Sequence, residues 1–174
     1  MRSIQLFNEN DVEVAVMACL TAYYYRPQLS AVYNGDLVSP VELTVEAIRE
    51  IFPNPAGKTI GIIASTGALR SGIFQAALEP LGINVLCLEG KEQEEYFMKP
   101  IYMPGGAKSG AITEEAFSIF RHQLTLLEER GADMIIGACS EVPLMLKKED
   151  VSLPYIDVFD LLAQKVIAAC YSYA

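Results

Sequence analysis

Two cysteines near opposite ends of the sequence each close an apolar run and precede a polar segment. Cys19 follows VEVAVMA, and Cys139 follows MIIGA. A hydroxyl residue comes soon after each thiol, Thr21 in the first segment and Ser140 in the second. Backbone N–H groups and the positive end of a helix dipole lower the pKa of a thiol and favour the thiolate. We therefore predict that Cys19 and Cys139 are reactive.

A pair of thiols on opposite walls of a cleft suits proton transfer at a carbon stereocentre. One thiol removes the proton, the other delivers a proton to the opposite face, and the two exchange roles for the reverse reaction. The carbanion formed between these steps needs preorganised donors that hold its carboxylate. The segments Ser65-Thr66-Gly67 and Thr21-Ala22 have the composition of such donor loops. The other thiols, Cys87 and Cys170, are predicted to be inert apolar side chains.

Alternating strand and helix patterns predict an α/β fold with parallel sheets joined by right-handed crossovers. The predicted strands lack alternation, which indicates burial on both faces. They are Val12–Ala18, Thr59–Ala64, Asn84–Leu88, Met134–Ala138 and Pro154–Asp157. The predicted helices are Val41–Phe52, Ser71–Leu81, Glu114–Arg130 and Val158–Tyr173. In such sheets ligands bind beyond the carboxyl ends of the strands, where both reactive thiols are expected.

Polar residues predict where the helices begin and end. Ser39 and Glu42 form a capping box, and Thr113 is an N-cap. Gly82 follows a helix at the left-handed cap position, and Gly131 follows Arg130 in the last turn of another helix. Asp157 and Asp160 are predicted to cap the last helix.

The segment Glu89–Gly110 is acidic, contains Gly and Pro, and is predicted to be the longest irregular stretch. Two interpretations remain open for it, a lid over a cleft and a solvated insertion.

The composition excludes several classes of protein. A formal net charge of −9, with no cluster of Lys and Arg, argues against nucleic-acid binding. The apolar runs are too short to cross a bilayer, and the start of the chain does not resemble a signal peptide. Four cysteines without a C-x-x-C motif, and a single histidine, fit neither a disulfide framework nor a zinc site. We expect a cytoplasmic protein without membrane or nucleic-acid partners.

Four short segments follow one another in the order Cys19–Tyr23, Ala64–Gly67, Ser71–Gln75 and Ala138–Leu144. Together they resemble the aspartate/glutamate racemase family, which uses two cysteines and no pyridoxal phosphate. Cys19–Tyr23 is similar to the family's Cys-Asn-Thr-Ala-His, and Ala138–Leu144 to its Gly-Cys-Thr-Glu-(Leu/Val)-Pro-Leu. Ala64–Gly67 and Ser71–Gln75 resemble Ala-Thr-Thr-Gly and Ser-Gly-Ile-Tyr-Gln. The similarity runs over nearly the whole chain.

The resemblance implies two Rossmann-like lobes and cofactor-independent racemisation of a small acidic amino acid, with no metal. It implies that Cys19 and Cys139 are catalytic. The substrate-binding residues that it implies are Thr21, Ala22, Ser65, Thr66, Gly67, Ser140 and Glu141. Further candidates for binding a carboxylate are Arg26, Arg70 and Lys108, whereas His122 is predicted to be a solvated surface residue.

The sequence also departs from the family pattern. Leu20 replaces an asparagine, Tyr23 replaces a histidine, and Ala68 stands where a threonine is usual. The glycine-rich segment that opens the first lobe in the family has no counterpart ahead of Cys19.

We therefore expect a shortened first lobe formed by residues 1–37 and completed by 151–174, beside a second lobe of residues 38–150. Exposed apolar faces of the shortened lobe predict a homo-oligomer. Two alternatives stay open: a related maleate isomerase or decarboxylase, and a non-catalytic remnant that binds a small dicarboxylate.

Overall fold

The computed structural model describes residues 2–171 and confirms an α/β fold with parallel sheets. The predicted helix Val158–Tyr173 has its last two residues outside this range. Within it, β1 (Val14–Ala15) and β2 (Asp36–Leu37) form a two-stranded sheet. The larger sheet has the strand order β4-β3-β5-β6, with β3 Thr59–Ile63, β4 Asn84–Leu86, β5 Met134–Gly137 and β6 Tyr155–Asp157. Every strand pair in both sheets is parallel.

Helices connect these strands. The α-helices are α1 Arg2–Glu9, α2 Arg26–Ser30, α3 Pro40–Ile51, α4 Thr66–Ser71, α5 Ile73–Leu78, α6 Gly90–Gln93, α7 Lys99–Tyr102, α8 Glu114–Glu129, α9 Val142–Met145 and α10 Val158–Tyr171. Short 3₁₀ helices span Leu20–Tyr25, Glu79–Leu81, Ala107–Ser109 and Lys148–Asp150, and a π turn spans Glu94–Met98.

The centre of the larger sheet is buried on both faces, as the lack of alternation in β3 and β5 predicts. Ile62 and Ile136 lie in the main core cluster, whereas Ile63 and Ile135 lie in a second cluster with residues of α8. Gly61 permits the close packing of this second layer, because a Cβ at that position would lie 2.9 Å from Ile135 Cδ1. The sheet is therefore held rigidly between two apolar layers.

The predicted caps are confirmed at most positions. Ser39 Oγ accepts the N–H of Glu42 at 3.2 Å, and Thr113 Oγ1 accepts the N–H of Ala116 at 3.3 Å. Gly82 and Gly131 have positive φ angles of 74° and 86°. The Glu42 carboxylate, however, pairs with Arg26 Nη1 at 3.1 Å rather than turning back toward the cap.

The prediction of an irregular segment over Glu89–Gly110 is wrong for its first part, because residues 90–102 are helical throughout. Gln93, Phe97 and Ile101 recur at intervals of four residues and are buried, which places one face of this helical segment on the second core cluster. The acidic residues between them occupy the outer face and mask the periodicity.

The predicted helix Ser71–Leu81 is also divided differently. Gly72, with a φ of 67°, separates α4 from α5, and α4 begins earlier, at Thr66. Ser65 is its N-cap and accepts the N–H of Ala68 at 3.3 Å. The loop after β3 therefore leads directly into a helix.

The first and last strands of the chain lie in different sheets. The strand predicted at 12–18 is limited to two residues, and β2 pairs beside it. β6 pairs with β5 and so belongs to the larger sheet, whereas α10 packs against both α3 and β1. The division into domains at residues 37 and 150 stays a prediction.

Candidate active site

The loop after β1 presents the first thiol to solvent. Cys19 is extended and exposed, and it occupies the N-cap position of the 3₁₀ helix Leu20–Tyr25. Its carbonyl oxygen accepts the N–H of Ala22 at 3.1 Å. Leu20 and Tyr23, two of the three departures from the family pattern, are buried in the main core, and Tyr23 Oη accepts the N–H of Met17 at 2.9 Å. They support the loop from beneath.

The loop after β3 contacts the loop after β1. Ser65 Oγ lies 3.3 Å from Thr21 Oγ1, within hydrogen-bond distance. Gly67 allows this approach, because a Cβ at Gly67 would lie 3.2 Å from Thr21 Cγ2. The structure therefore brings Thr21, Ser65 and Gly67 together, as the sequence predicts for a binding site.

The loop after β5 holds the second thiol in a polar network. Cys139 Sγ is half-buried and donates to Glu141 Oε2 at 2.9 Å. Ser140 Oγ donates to the same carboxylate oxygen at 3.0 Å. The other oxygen of Glu141 pairs with Lys108 Nζ at 3.1 Å, and this ammonium group lies 5.1 Å from the ring centroid of Tyr102. Lys108 thus reaches the second thiol through Glu141.

The electrostatics of Cys139 contradict the prediction that its environment favours the thiolate. Burial, with the hydrogen bond to the Glu141 carboxylate, raises the pKa of Cys139 to about 12. The backbone N–H groups of Glu141 and Ser65 donate to the sulfur and oppose this rise, but they do not overcome it. Cys139 therefore carries its proton at neutral pH.

The Glu141 carboxylate is stabilised in its charged form. Burial alone would raise the pKa of Glu141, but hydrogen bonds from Cys139, Lys108 and Ser140 outweigh that effect and lower it. The site therefore pairs a neutral thiol with an ionised carboxylate.

Sequence reasoning missed Gln93, which supports the loop after β3. Its Nε2 donates to the carbonyl oxygen of Ala64 at 2.9 Å and lies 3.5 Å from Thr66 Oγ1. The signal that could have found it is its place four residues before Phe97 on the buried face of the helical segment.

The remaining candidates have other roles or lie elsewhere. Arg26 Nε donates to the carbonyl oxygen of Leu37 at 2.8 Å, in addition to its ion pair. The ring of His122 packs on Tyr96 with centroids 4.5 Å apart. Asp157 Oδ1 accepts the N–H of Phe159 at 2.8 Å and so caps α10, as predicted. Asp160, also predicted as a cap, lies within α10 and accepts from Gln164 Nε2 at 2.8 Å.

A cavity of about 1050 Å³ adjoins the loop after β3. Thr66, Arg70, Cys87 and Gln93 are among its lining residues. It shares Thr66 with the predicted site, but neither Cys19 nor Cys139 lines it. The volume alone therefore does not locate the chemistry, and the contacts between the loops are the better guide.

Two features are absent from residues 2–171. No group of three or more His, Cys, Asp and Glu side chains there is arranged to hold a metal ion. No helix in the same range combines the length and the hydropathy needed to cross a membrane.

The model of the Asp/Glu/Hydantoin racemase family matches residues 1–166. The chain belongs to this family. Among curated proteins, it is 26% identical over 165 residues to the broad specificity amino-acid racemase RacX of Bacillus subtilis (strain 168), covering 93% of this chain and 66% of RacX. The chain thus spans about two thirds of that relative.

Solved structures of racemase-type proteins share the fold. A Yersinia pestis protein classed with the Asp/Glu racemases superposes with a TM-score of 0.79 at 24% identity, covering 99% of this chain and 71% of that one. The aspartate racemase of Picrophilus torridus gives 0.76 at 19% identity, covering 97% and 66%. At these identities the likeness establishes the fold, and family membership supports an amino-acid racemase.

Proposed function

We propose that this chain racemises a small acidic amino acid without a cofactor, with Cys19 and Cys139 as the two acid/base groups. The observation that carries the proposal is the position of Ser65. Its hydroxyl contacts Thr21 at 3.3 Å, two residues beyond Cys19, and the parallel pairing of Ile63 with Gly137 places Ser65 beside Cys139. The loops that carry the two thiols therefore meet at one residue, beyond the carboxyl ends of the strands.

The protonation of the second thiol suggests how the roles divide. Cys139 is neutral at physiological pH, so it is the proposed proton donor in one direction, with Cys19 as the base. Glu141 accepts the thiol proton in a hydrogen bond and would receive it when the direction reverses. The hydroxyls and N–H groups of Thr21, Ser65 and Ser140 are the proposed partners of the substrate carboxylate.

Lys108 supplies a cation at the same site. It pairs with Glu141 at 3.1 Å and is half-exposed, so a substrate carboxylate could share its ammonium group without removing it from the protein. An acidic side chain on the substrate is consistent with this arrangement. Thr66, Gly67 and Ala22 complete the proposed binding residues through their place in the two contacting loops.

Isotope exchange tests the proposal. In deuterium oxide, each enantiomer of aspartate and of glutamate should acquire deuterium at the α-carbon as it racemises. Proton magnetic resonance measures this exchange as loss of the α-proton signal. Cys19→Ser and Cys139→Ser should each abolish racemisation, because one remaining thiol cannot serve both faces. Cys170→Ala, at an exposed position on α10, is the matched control and should keep full activity. Racemisation that survives either serine variant would contradict the two-thiol mechanism.

A second candidate is binding of a small dicarboxylate without catalysis. The high pKa of Cys139 favours it, because a thiol that holds its proton is a poor base for the reverse reaction. Titration calorimetry with succinate and aspartate separates the two. Heat of binding without α-deuteration would identify a binding protein, whereas deuteration at the α-carbon would identify the racemase.

A further inference from the structure

Gln93 is a buried polar side chain whose amide nitrogen is directed toward the candidate site. It is 5% exposed, at the end of α6, and its amide nitrogen bonds to Ala64 and Thr66. A buried amide destabilises the fold unless its hydrogen bonds are made, so this side chain is held in one orientation. Both partners belong to the loop after β3, which contacts the two thiol-bearing loops.

The backbone ladder explains why the loop needs this support. The last ladder bond of β3 toward β5 is the one from the N–H of Ala138 to the carbonyl oxygen of Ile63, at 2.8 Å. The next carbonyl, that of Ala64, lies beyond the ladder and is buried, and Gln93 Nε2 satisfies it at 2.9 Å. Gln93 therefore supplies the hydrogen-bond donor that the sheet no longer provides at Ala64.

The surroundings of the loop after β3 leave it room to move if the contact with Gln93 is lost. The cavity of about 1050 Å³ lies against Thr66 and Gln93, so the loop has empty space on that side. On its other side it contacts Thr21 and Cys139. A loop released from Gln93 has room to move away from both.

We propose that Gln93 is a positioning residue that holds Ala64–Thr66 so that Ser65 faces Thr21 and Cys139 together. The effect of Gln93 on catalysis rests on the proposed function, whereas its effect on the position of the loop does not. Gln93 acts through Ser65 and Thr66 and need not touch the substrate.

Gln123 offers a matched control within the same molecule. It is also a buried glutamine, 2% exposed, and its Nε2 donates to the carbonyl oxygens of Phe120 at 2.7 Å and Tyr96 at 3.2 Å. Gln93→Leu and Gln123→Leu remove the same group from equally buried positions. Both should lower stability, but only the first should affect the loop after β3.

Hydrogen exchange measured by mass spectrometry on a peptide spanning residues 64–70 is the primary readout. Gln93→Leu should speed exchange there by roughly tenfold relative to the parent, and Gln123→Leu should not. In the same variant kcat should fall more than KM rises, because donors misplaced in the transition state affect kcat. Equal exchange in the two variants would overturn the proposal.

Gln93→Glu keeps the shape of the side chain and should make the protection of the loop from hydrogen exchange depend on pH. A protonated carboxyl group can donate to the Ala64 carbonyl oxygen, whereas a carboxylate cannot. Loop protection should therefore be near that of the parent at low pH and be lost as the pH rises, while Gln123→Glu leaves the loop unchanged. A pH-independent loop in Gln93→Glu would also overturn the proposal. If the parent fails to racemise any substrate, the proposed function fails, and the exchange data still decide the role of Gln93.

Discussion

Replacing Glu141 by glutamine should make the Cys139 thiol more acidic. The thiol donates to Glu141 Oε2 at 2.9 Å, and the carboxylate is the second cause, after burial, of a pKa of about 12. Glutamine keeps an acceptor at the same place but removes the negative charge. The perturbation therefore isolates the charge from the packing.

The size of the effect follows from the strength of the hydrogen bond. A hydrogen bond to a charged group contributes about 1.5–3 kcal/mol and a neutral one about 0.5–1.5 kcal/mol, so the charge accounts for about 1 kcal/mol, or nearly one pKa unit. The Glu141 side chain is 19% exposed, so solvent screening removes little of this. Because a more acidic thiolate is also a weaker nucleophile, the rate of alkylation at about pH 9 should rise roughly threefold.

Alkylation by iodoacetamide, followed on the peptide that contains Cys139, measures this rate. Lys108→Met should change the rate in the opposite direction, because it removes the cation that neutralises Glu141 at 3.1 Å. Glu149→Gln, the same exchange at an exposed position, should leave the rate unchanged. An unaltered or slower rate in Glu141→Gln would refute the electrostatic account of this site.

Three further predictions concern stability and assembly. Tyr155→Phe should raise the free energy of unfolding in urea by about 1 kcal/mol, because Tyr155 Oη is buried without a hydrogen-bond partner among residues 2–171. Asp133→Asn should lower the free energy of unfolding at neutral pH, because the N–H of Thr59 and the Lys58 ammonium depress the pKa of Asp133 in the folded state. The ionised Asp133 therefore stabilises the fold above about pH 4, and this contribution is lost as the pH falls through the folded-state pKa. Exposed apolar side chains such as Tyr171, at 76% exposure, should make the chain self-associate in sedimentation equilibrium, and a monomer would contradict this.

Local signals predicted the regular parts of the fold. Thr113 lies at the start of α8 and Gly131 just after its end, as capping chemistry requires. The apolar runs around Ile62 and Ile136 form the two central strands. These features depend on residues close together in the chain. The strand predicted at Val12–Ala18 contains β1, but its short length and its partner β2 were not predicted, because strands of two residues acquire their conformation from tertiary pairing.

Long-range contacts account for what the sequence analysis missed at the site. Gln93 contacts Ala64 from 29 positions away, and no local pattern connects the two. The pKa of Cys139 depends on its burial and on where the Glu141 side chain turns, neither of which is visible in the motif. The structure brings the predicted residues Thr21, Ser65 and Gly67 into contact, whereas the protonation state of the thiol depends on the three-dimensional environment.

Strand register explains why the loops after β3 and β5 meet. Gly67 explains why the loop after β1 can approach the loop after β3. Ile63 pairs with Gly137 in parallel register, so Ser65 and Cys139, each two residues further on, emerge side by side. The loop after β1 has no such pairing with β3, and its approach depends on the missing side chain at Gly67.

Gly67→Ala should therefore separate that loop from the other two. The new Cβ would lie 3.2 Å from Thr21 Cγ2, which is tighter than ordinary van der Waals contact, and we expect kcat/KM to fall by roughly tenfold. Thr21→Ser removes that methyl group and keeps the hydroxyl, so the double variant should recover most of the loss. Full activity in Gly67→Ala, or no recovery in the double variant, would show that the contact between Thr21 and Ser65 does not set the separation of the thiols.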